Sequence, residues 1–188
     1  MISVGIDEVG RGAWAGPLVV TAVALDLNIK LPRLKDSKKL SSKQRVQLEK
    51  SIRENAHDIA IAWVPSIDID EVGLGAALGN AMREALNGLN CHFGRVIVDG
   101  NVDYVKFGNL SRAVVRADDQ FPEVSAASIV AKVSRDNYMR KMSLEYKEYG
   151  FEKNVGYGTK QHLEALQKHG PIKNFHRFSF KPISELAK

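Results

Sequence analysis

Three short apolar runs in this chain each close on acidic residues. Ile2–Asp7 alternates small or polar with apolar side chains and ends at Asp7-Glu8, Arg95–Val98 ends at Asp99-Gly100, and Ala113–Val115 stops just before Asp118-Asp119. Runs this short, bounded by turn formers, have the length of strands rather than of helices. The carboxylates therefore fall at the C-terminal ends of strands, the edge at which ligands sit in an open α/β sheet. Acids converging on such an edge repel one another unless cations lie between them. A donor set made only of oxygens suits a hard ion, Mg²⁺ or Mn²⁺, and Cys91, the sole cysteine, leaves no His-plus-Cys spacing for zinc.

The rest of the pattern fills in a mixed sheet with helices around it. Leu18–Leu25 and Ile59–Val64 read as further strands. Ser41–Arg53 reads as a helix with Ser41 or Ser42 as its N-cap, and Gly73–Leu89, Pro122 to about Tyr146 and Lys160–Lys168 read as helices. Strands first, then alternating helices and strands, point to an α/β fold. Neither a repeat nor a linker divides the chain, so one domain over 1–188 is expected.

Composition closes off other classes. At 44% apolar and 26% charged residues the chain matches ordinary globular proteins, not disordered or collagen-like ones. A single cysteine rules out an internal disulfide and fits a cytoplasmic, reducing setting. The uncharged run Trp14–Leu25 is shorter than the roughly 20 residues a membrane-spanning helix needs. Net charge is +5, and residues 147–188 carry eight Lys or Arg against four Asp or Glu, a basic and helical C-terminal portion suited to a polyanion.

Two local features bear on chemistry. Gly10-Arg11-Gly12-Ala13-Trp14-Ala15-Gly16 follows the first strand, but its G-x-G-x-x-x-G spacing and the acids before it disfavour a dinucleotide loop. Its glycines instead allow a backbone to approach sugar or phosphate oxygens closely. Adjacent strand residues face opposite sides, so Asp7 and Glu8 are expected to share a site only if the chain bends between them. No Ser-His-Asp or Cys-His set suggests a protein nucleophile, and His162 and His176 lack metal-ligand spacing and are expected to cap or pack.

Taken in order, the motifs resemble a known family. Gly5-Ile6-Asp7-Glu8-Val9-Gly10-Arg11-Gly12 with Ala15-Gly16-Pro17, then Asp36-Ser37-Lys38-Lys39-Leu40, Val98-Asp99-Gly100, Ala117-Asp118, Ser125–Val133 with Arg135-Asp136, Gly156-Tyr157-Gly158-Thr159 and His176–Phe180 are similar to the signature of the type 2 ribonucleases H, specifically bacterial ribonuclease HII. The resemblance implies a ribonuclease H-like fold, a central five-stranded mixed sheet flanked by helices with a helical C-terminal portion. It implies a metal-dependent endonuclease that hydrolyses the RNA strand of RNA/DNA hybrids and cuts 5′ to single ribonucleotides in duplex DNA, leaving 5′-phosphate and 3′-hydroxyl ends, in support of ribonucleotide removal during replication and repair.

By the same resemblance, Asp7, Glu8, Asp99 and Asp118 are the catalytic acids and hold two divalent ions, Mg²⁺ or Mn²⁺. Asp118, rather than Asp119, keeps the family's offset to Ser125. Gly10, Arg11 and Gly12 sense the 2′-hydroxyl, Tyr157 packs on the following deoxyribose, and Ser37, Lys38, Lys39, Thr159 and Arg177 contact substrate. Trp14 in the glycine loop and Phe178 in place of a common arginine depart from the family pattern. Ribonuclease HIII relatives carry an added N-terminal domain for which Asp7, so early in the sequence, is expected to leave no room. A catalytically silent hybrid-binding protein is the alternative from another class. Pro182–Lys188 lacks the Gln-plus-paired-aromatics pattern of a sliding-clamp tail, and a monomer with no membrane contact is expected.

Overall fold

A computed structural model describes residues 1–29, 34 and 40–186; Ser37, Lys38 and Lys39 lie outside the described residues. The strands are β1 (Ile2–Val9), β2 (Leu18–Asp26), β3 (Asp58–Val64), β4 (Arg95–Asp99) and β5 (Ser111–Val114). They form one sheet in the order β3-β2-β1-β4-β5, with β1 antiparallel to β2 but parallel to β4, and β4 parallel to β5. Parallel pairing of β1, β4 and β5 puts their C-terminal ends on one edge, as the recurring acids predict. The helices are α1 (Ser42–Asn55), α2 (Ser66–Val72), α3 (Leu74–Asn87), α4 (Pro122–Glu145), α5 (Phe151–Asn154), α6 (Lys160–His169) and α7 (Lys181–Leu186).

Contacts divide the chain into two compact units, the first being Met1–Val9, Val19–Ala62 and Gly79–Val133, and the second Gly10–Leu18, Trp63–Leu78 and Ser134–Lys188. In the first, Val23 of β2, Leu48 and Ile52 of α1, and Ala126, Ala127, Ile129 and Val130 of α4 form one apolar cluster. Ser41 caps α1 reciprocally with Gln44, satisfying two otherwise orphaned amides. The start of α4 lies directly on β1. Ser3 donates to Glu123 at 2.6 Å, and a Cβ on Gly5 would stand 2.2 Å from the Glu123 carbonyl carbon, so only glycine lets the helix approach so closely. Arg95 completes this buried knot with a 2.8 Å bond to the same Glu123 oxygen.

In the second unit, Ala15, Met139, Tyr149, Phe151, Leu166, Phe175 and Ile183 make a separate core rich in rings. Here α2, α5 and α7 go beyond the helices read from the sequence. Ile67-Asp68-Ile69-Asp70 alternates with a period of two, which mimics a strand, yet the segment is helical with Ile69 buried and Ile67 exposed.

Candidate active site

The acids belong to the first unit, and sheet register assembles them. The β1–β4 ladder runs to Ile6↔Val98, so Asp7 and Asp99 are the next residues on adjacent parallel strands. Asp99 in turn accepts a 2.6 Å bond from the amide of Ala117, which pins the 3-10 turn Ala117–Asp119 and with it Asp118 to the end of β4. Arg116, just before that turn, adopts left-handed backbone (φ 56°) and reaches Asp119 at 2.9 Å. Asp119 is thus engaged outward by an arginine, while Asp118, half-buried, sits in the middle of the turn.

Asp7 is only 6% exposed. Burial pushes its carboxyl well above the usual range; the Ser128 hydroxyl opposes this by hydrogen bonding, and the charges of Glu8 and Asp99 raise it further. The Ser128 contact explains the side chain's direction, because Ser3, Gly5 and Asp7 alternate along β1 and all face α4. The expected bend between Asp7 and Glu8 is absent. β1 keeps register with β2 through Asp7↔Thr21, Glu8↔Val20 and Val9↔Val19, so the two acids leave opposite faces of an unbroken strand. Glu8 nevertheless acts on Asp7 through its charge.

Among the described residues no three His, Cys, Asp or Glu side chains already encircle one point as ion ligands. The donor chemistry nonetheless fits hard divalent cations. Asp7, Glu8 and Asp99 are all-oxygen donors whose mutual repulsion a cation would offset. Thr21, cross-strand from Asp7, also has a buried hydroxyl with no hydrogen-bond partner among the described residues.

The glycine loop belongs to the second unit, where two buried arginines mould it. Arg135 donates through Nε to Pro17 O at 2.8 Å, through Nη1 to Val155 O at 2.8 Å and through Nη2 to Ala15 O at 3.1 Å. Arg177 donates to Gly16 O at 3.0 Å and to Arg11 O at 3.0 Å. Burial lowers both guanidiniums, Arg177 to about 10, and carbonyl oxygens replace the water they lose. A phosphate contact for Arg177 does not fit this geometry. The side chain is 0% exposed and holds the loop from within.

Tyr157 accepts a 3.2 Å bond from the Gly10 amide and lies under the Arg135 guanidinium, 5.5 Å from ring centroid to Cζ. Its glycine neighbours are required by packing: a Cβ on Gly156 would stand 2.3 Å from Ala15 O, and one on Gly158 would stand 2.1 Å from the Trp14 ring. Trp14 therefore packs inward on the tyrosine turn. Thr159 has a structural role as the N-cap of α6, accepting from the His162 amide at 3.2 Å.

The loop's own glycines differ from one another. Gly10 has φ +88°, and a Cβ there would fall 2.3 Å from Arg135 Nε, so the fold demands glycine. At Gly12 a Cβ would meet nothing within 4 Å, and Arg11 and Gly12 are both exposed. Ser128, Thr21 and Arg135 escaped the sequence reading as individual positions. Ser128 and Arg135 do lie in a motif-bearing stretch, but which face of α4 each occupies is visible only in three dimensions.

A family model for ribonuclease HII matches residues 4–183. The chain belongs to the ribonuclease HII family. A ribonuclease HII from Staphylococcus epidermidis is 42% identical over 184 residues, covering 98% of this chain and 71% of that one, and one from Shewanella pealeana is 45% identical over 181 residues, covering 96% and 88%. The ribonuclease H2 structure from Pyrococcus horikoshii superposes with a TM-score of 0.85 at 28% identity, covering 100% of this chain and 97% of that one. A PCNA:RNase HII complex from Archaeoglobus fulgidus gives 0.80 at 28% identity and 96% coverage of both chains. Bst-RNase HIII in complex with Mn²⁺ gives 0.73 at 16% identity, covering 100% and 70%, which shows a shared fold. The protein is a ribonuclease H-type hydrolase of a metal-dependent nuclease family that acts on RNA/DNA hybrids. No helix among the described residues is long and apolar enough to cross a membrane.

Proposed function

We propose that this enzyme, besides cutting the RNA strand of hybrids, cleaves duplex DNA on the 5′ side of a single embedded ribonucleotide by a two-metal route. The observation that carries the reading is the parallel register that makes Asp7 and Asp99 neighbours, with the Ala117 amide tying the Asp118 turn to Asp99. Asp7, Glu8, Asp99 and Asp118 hold the ions, Mg²⁺ or Mn²⁺. Two such ions, when bound, supply an attacking water of lowered pKa and neutralise the leaving 3′-oxygen. The acids offset the cationic charge, and Ser128 keeps the Asp7 carboxyl oriented by its hydrogen bond.

Selection of the ribonucleotide falls to the exposed backbone at Arg11 and Gly12, close enough for a 2′-hydroxyl to be sensed, and to Tyr157 against the next sugar. Ser37, Lys38 and Lys39 contribute phosphate contacts on this reading. Both units serve one catalytic domain over 1–188, acting as a monomer in the cytoplasm. A PCNA partner is a reading that the Archaeoglobus complex supports.

The test compares an all-DNA duplex, a duplex with one ribonucleotide and a continuous hybrid, with Mg²⁺, Mn²⁺ or EDTA, for wild type and Asp99→Asn. Metal-dependent cleavage 5′ to the ribonucleotide that vanishes in Asp99→Asn is expected. Cleavage of the hybrid alone would remove the junction reading. Binding without cleavage of either substrate would favour a silent hybrid-binding protein.

A further inference from the structure

Buried in the ring-rich core of the second unit are two histidines the proposed chemistry does not use. His162 and His176 are both 0% exposed, and their Nε2 atoms lie 3.0 Å apart. Their outer nitrogens identify the protons. The Ile172 amide donates to His176 Nδ1 at 2.8 Å, so that nitrogen is the acceptor and the His176 proton is on Nε2. His176 Nε2–H then donates to His162 Nε2, and the remaining proton, on His162 Nδ1, is donated to the carbonyl of Tyr157 at 3.0 Å. Every polar atom of the pair is satisfied only if both rings are neutral and each is in this one tautomer. Phe151 edge-on at 5.4 Å and Trp14 at 5.6 Å from His162 keep water out.

The two ends of this relay lie on different parts of the second unit. One end holds the peptide of Tyr157, the proposed sugar platform. The other is fastened to the back of the glycine loop: Ala15 bridges His176, the Gly16 amide donates to Phe175 O at 2.9 Å, and the Arg177 amide donates to Trp14 O at 2.8 Å. We propose that His162 and His176 are positioning residues for substrate specificity, fixing the Tyr157 platform relative to the glycine loop so that an RNA-to-DNA junction is favoured over a continuous hybrid. The inference rests on the role assigned above to Tyr157. What marks this pair is where its bonds end, on the Tyr157 carbonyl at one side and on the segment bridged to Ala15 at the other.

The test uses variants that separate the bond from the ring. In His162→Asn the side-chain amide takes the place of Nδ1–H and keeps the Tyr157 carbonyl bonded; His162→Phe keeps the ring and loses the donor. His176→Asn keeps an acceptor for Ile172 but cuts the link between the rings. The readouts are the ratio of kcat/KM on a single-ribonucleotide duplex to that on a continuous hybrid, and the ¹³C carbonyl resonance of Tyr157. Loss of one hydrogen bond predicts a ratio lowered about three- to ten-fold in His176→Asn and His162→Asn, which cut only the link between the two side chains, and lowered further in His162→Phe, which also loses the Tyr157 bond, with the carbonyl resonance shifted in His162→Phe and restored in His162→Asn. An unchanged ratio in folded His162→Phe, or equal losses in His162→Phe and His162→Asn, would overturn the positioning role. Tyr157→Ala on the same substrates is the control for the underlying reading. If it leaves the ratio unchanged, the assignment of Tyr157 itself fails, whatever the histidine variants do.

Discussion

Gly12→Ala separates folding from recognition at the glycine loop. A methyl group there would meet nothing within 4 Å, and Gly12 is not among the positive-φ glycines. Replacing it should therefore leave the fold intact and restrict the unfolded chain, a gain of about 0.4–1 kcal/mol. For a protein of this size that corresponds to a Tm higher by about 1–4 °C. Gly10→Ala is the opposite case. With φ at +88° and Arg135 Nε 2.3 Å from the new Cβ, it strains the backbone and displaces the guanidinium that holds Pro17, at a cost of about 2–4 kcal/mol. If the exposed loop backbone meets the ribose, the methyl of Gly12→Ala holds the amide away from it. An interaction left unmade at a desolvated polar group costs about 1–3 kcal/mol, or roughly 5- to 150-fold in affinity. Fluorescence anisotropy with Ca²⁺ in place of Mg²⁺, on duplexes with and without one ribonucleotide, measures this, and differential scanning calorimetry reads the stability. Gly12→Ala should lose the preference for the ribonucleotide while melting no lower than wild type. A variant that melts several degrees lower, or that retains full ribonucleotide discrimination, would refute the reasoning.

Three further outcomes are expected. Asp118→Asn should lower kcat by at least about 100-fold, whereas Asp119→Asn, which frees an exposed Arg116 partner, should stay within a few-fold of wild type in a steady-state cleavage assay. Asp7→Asn should abolish cleavage yet raise the Tm of metal-free protein, because a carboxylate disfavoured by burial and by Glu8 and Asp99 is removed. A gain on the order of 1 kcal/mol gives about 2–4 °C, and added Mg²⁺ should erase the difference. Burial and the neighbouring His162 hold His176 at about 3 instead of the ordinary 6.5, so the unfolded chain takes up a proton there that the folded protein refuses. Its contribution is harmless above pH 6.5 and costs about 1.4 kcal/mol per pH unit as pH falls from there toward 3. The gap in urea midpoint between wild type and His176→Asn should therefore be widest at pH 7 and narrow by pH 4.5, because only wild type carries the His176 penalty at the lower pH.

Much of the fold was legible because strands and acids obey local rules. Alternation over Ile2–Asp7, the apolar stretch of Arg95–Val98 and the cap at Ser41 are properties of short segments, and each reappears in β1, β4 and α1. The order of motifs along the chain was likewise enough to place it among the ribonucleases HII, since a linear comparison needs no coordinates. Ser66–Val72, to which the sequence reading assigned no element, is a helix that buries Ile69. What the linear pattern misjudged was direction. Asp7 and Glu8 were expected to share a site only through a bend, yet β1 keeps register with β2 through both residues, and the link between them is the charge of Glu8 acting on Asp7.

Arg177 shows the limit most clearly. As a sequence position it is one more cation in a basic stretch of 147–188, suited to phosphate. Only the packed structure reveals that its guanidinium is enclosed and bonded to Arg11 and Gly16 carbonyls. The sequence by itself determined the five strands, the four longer helices, the acidic strand ends and the family. Tertiary structure decided which carboxylates are neighbours, which glycine is spare and which cations are buried. Those properties depend on register between strands far apart in the chain and on the loss of water around side chains, neither of which any local stretch encodes.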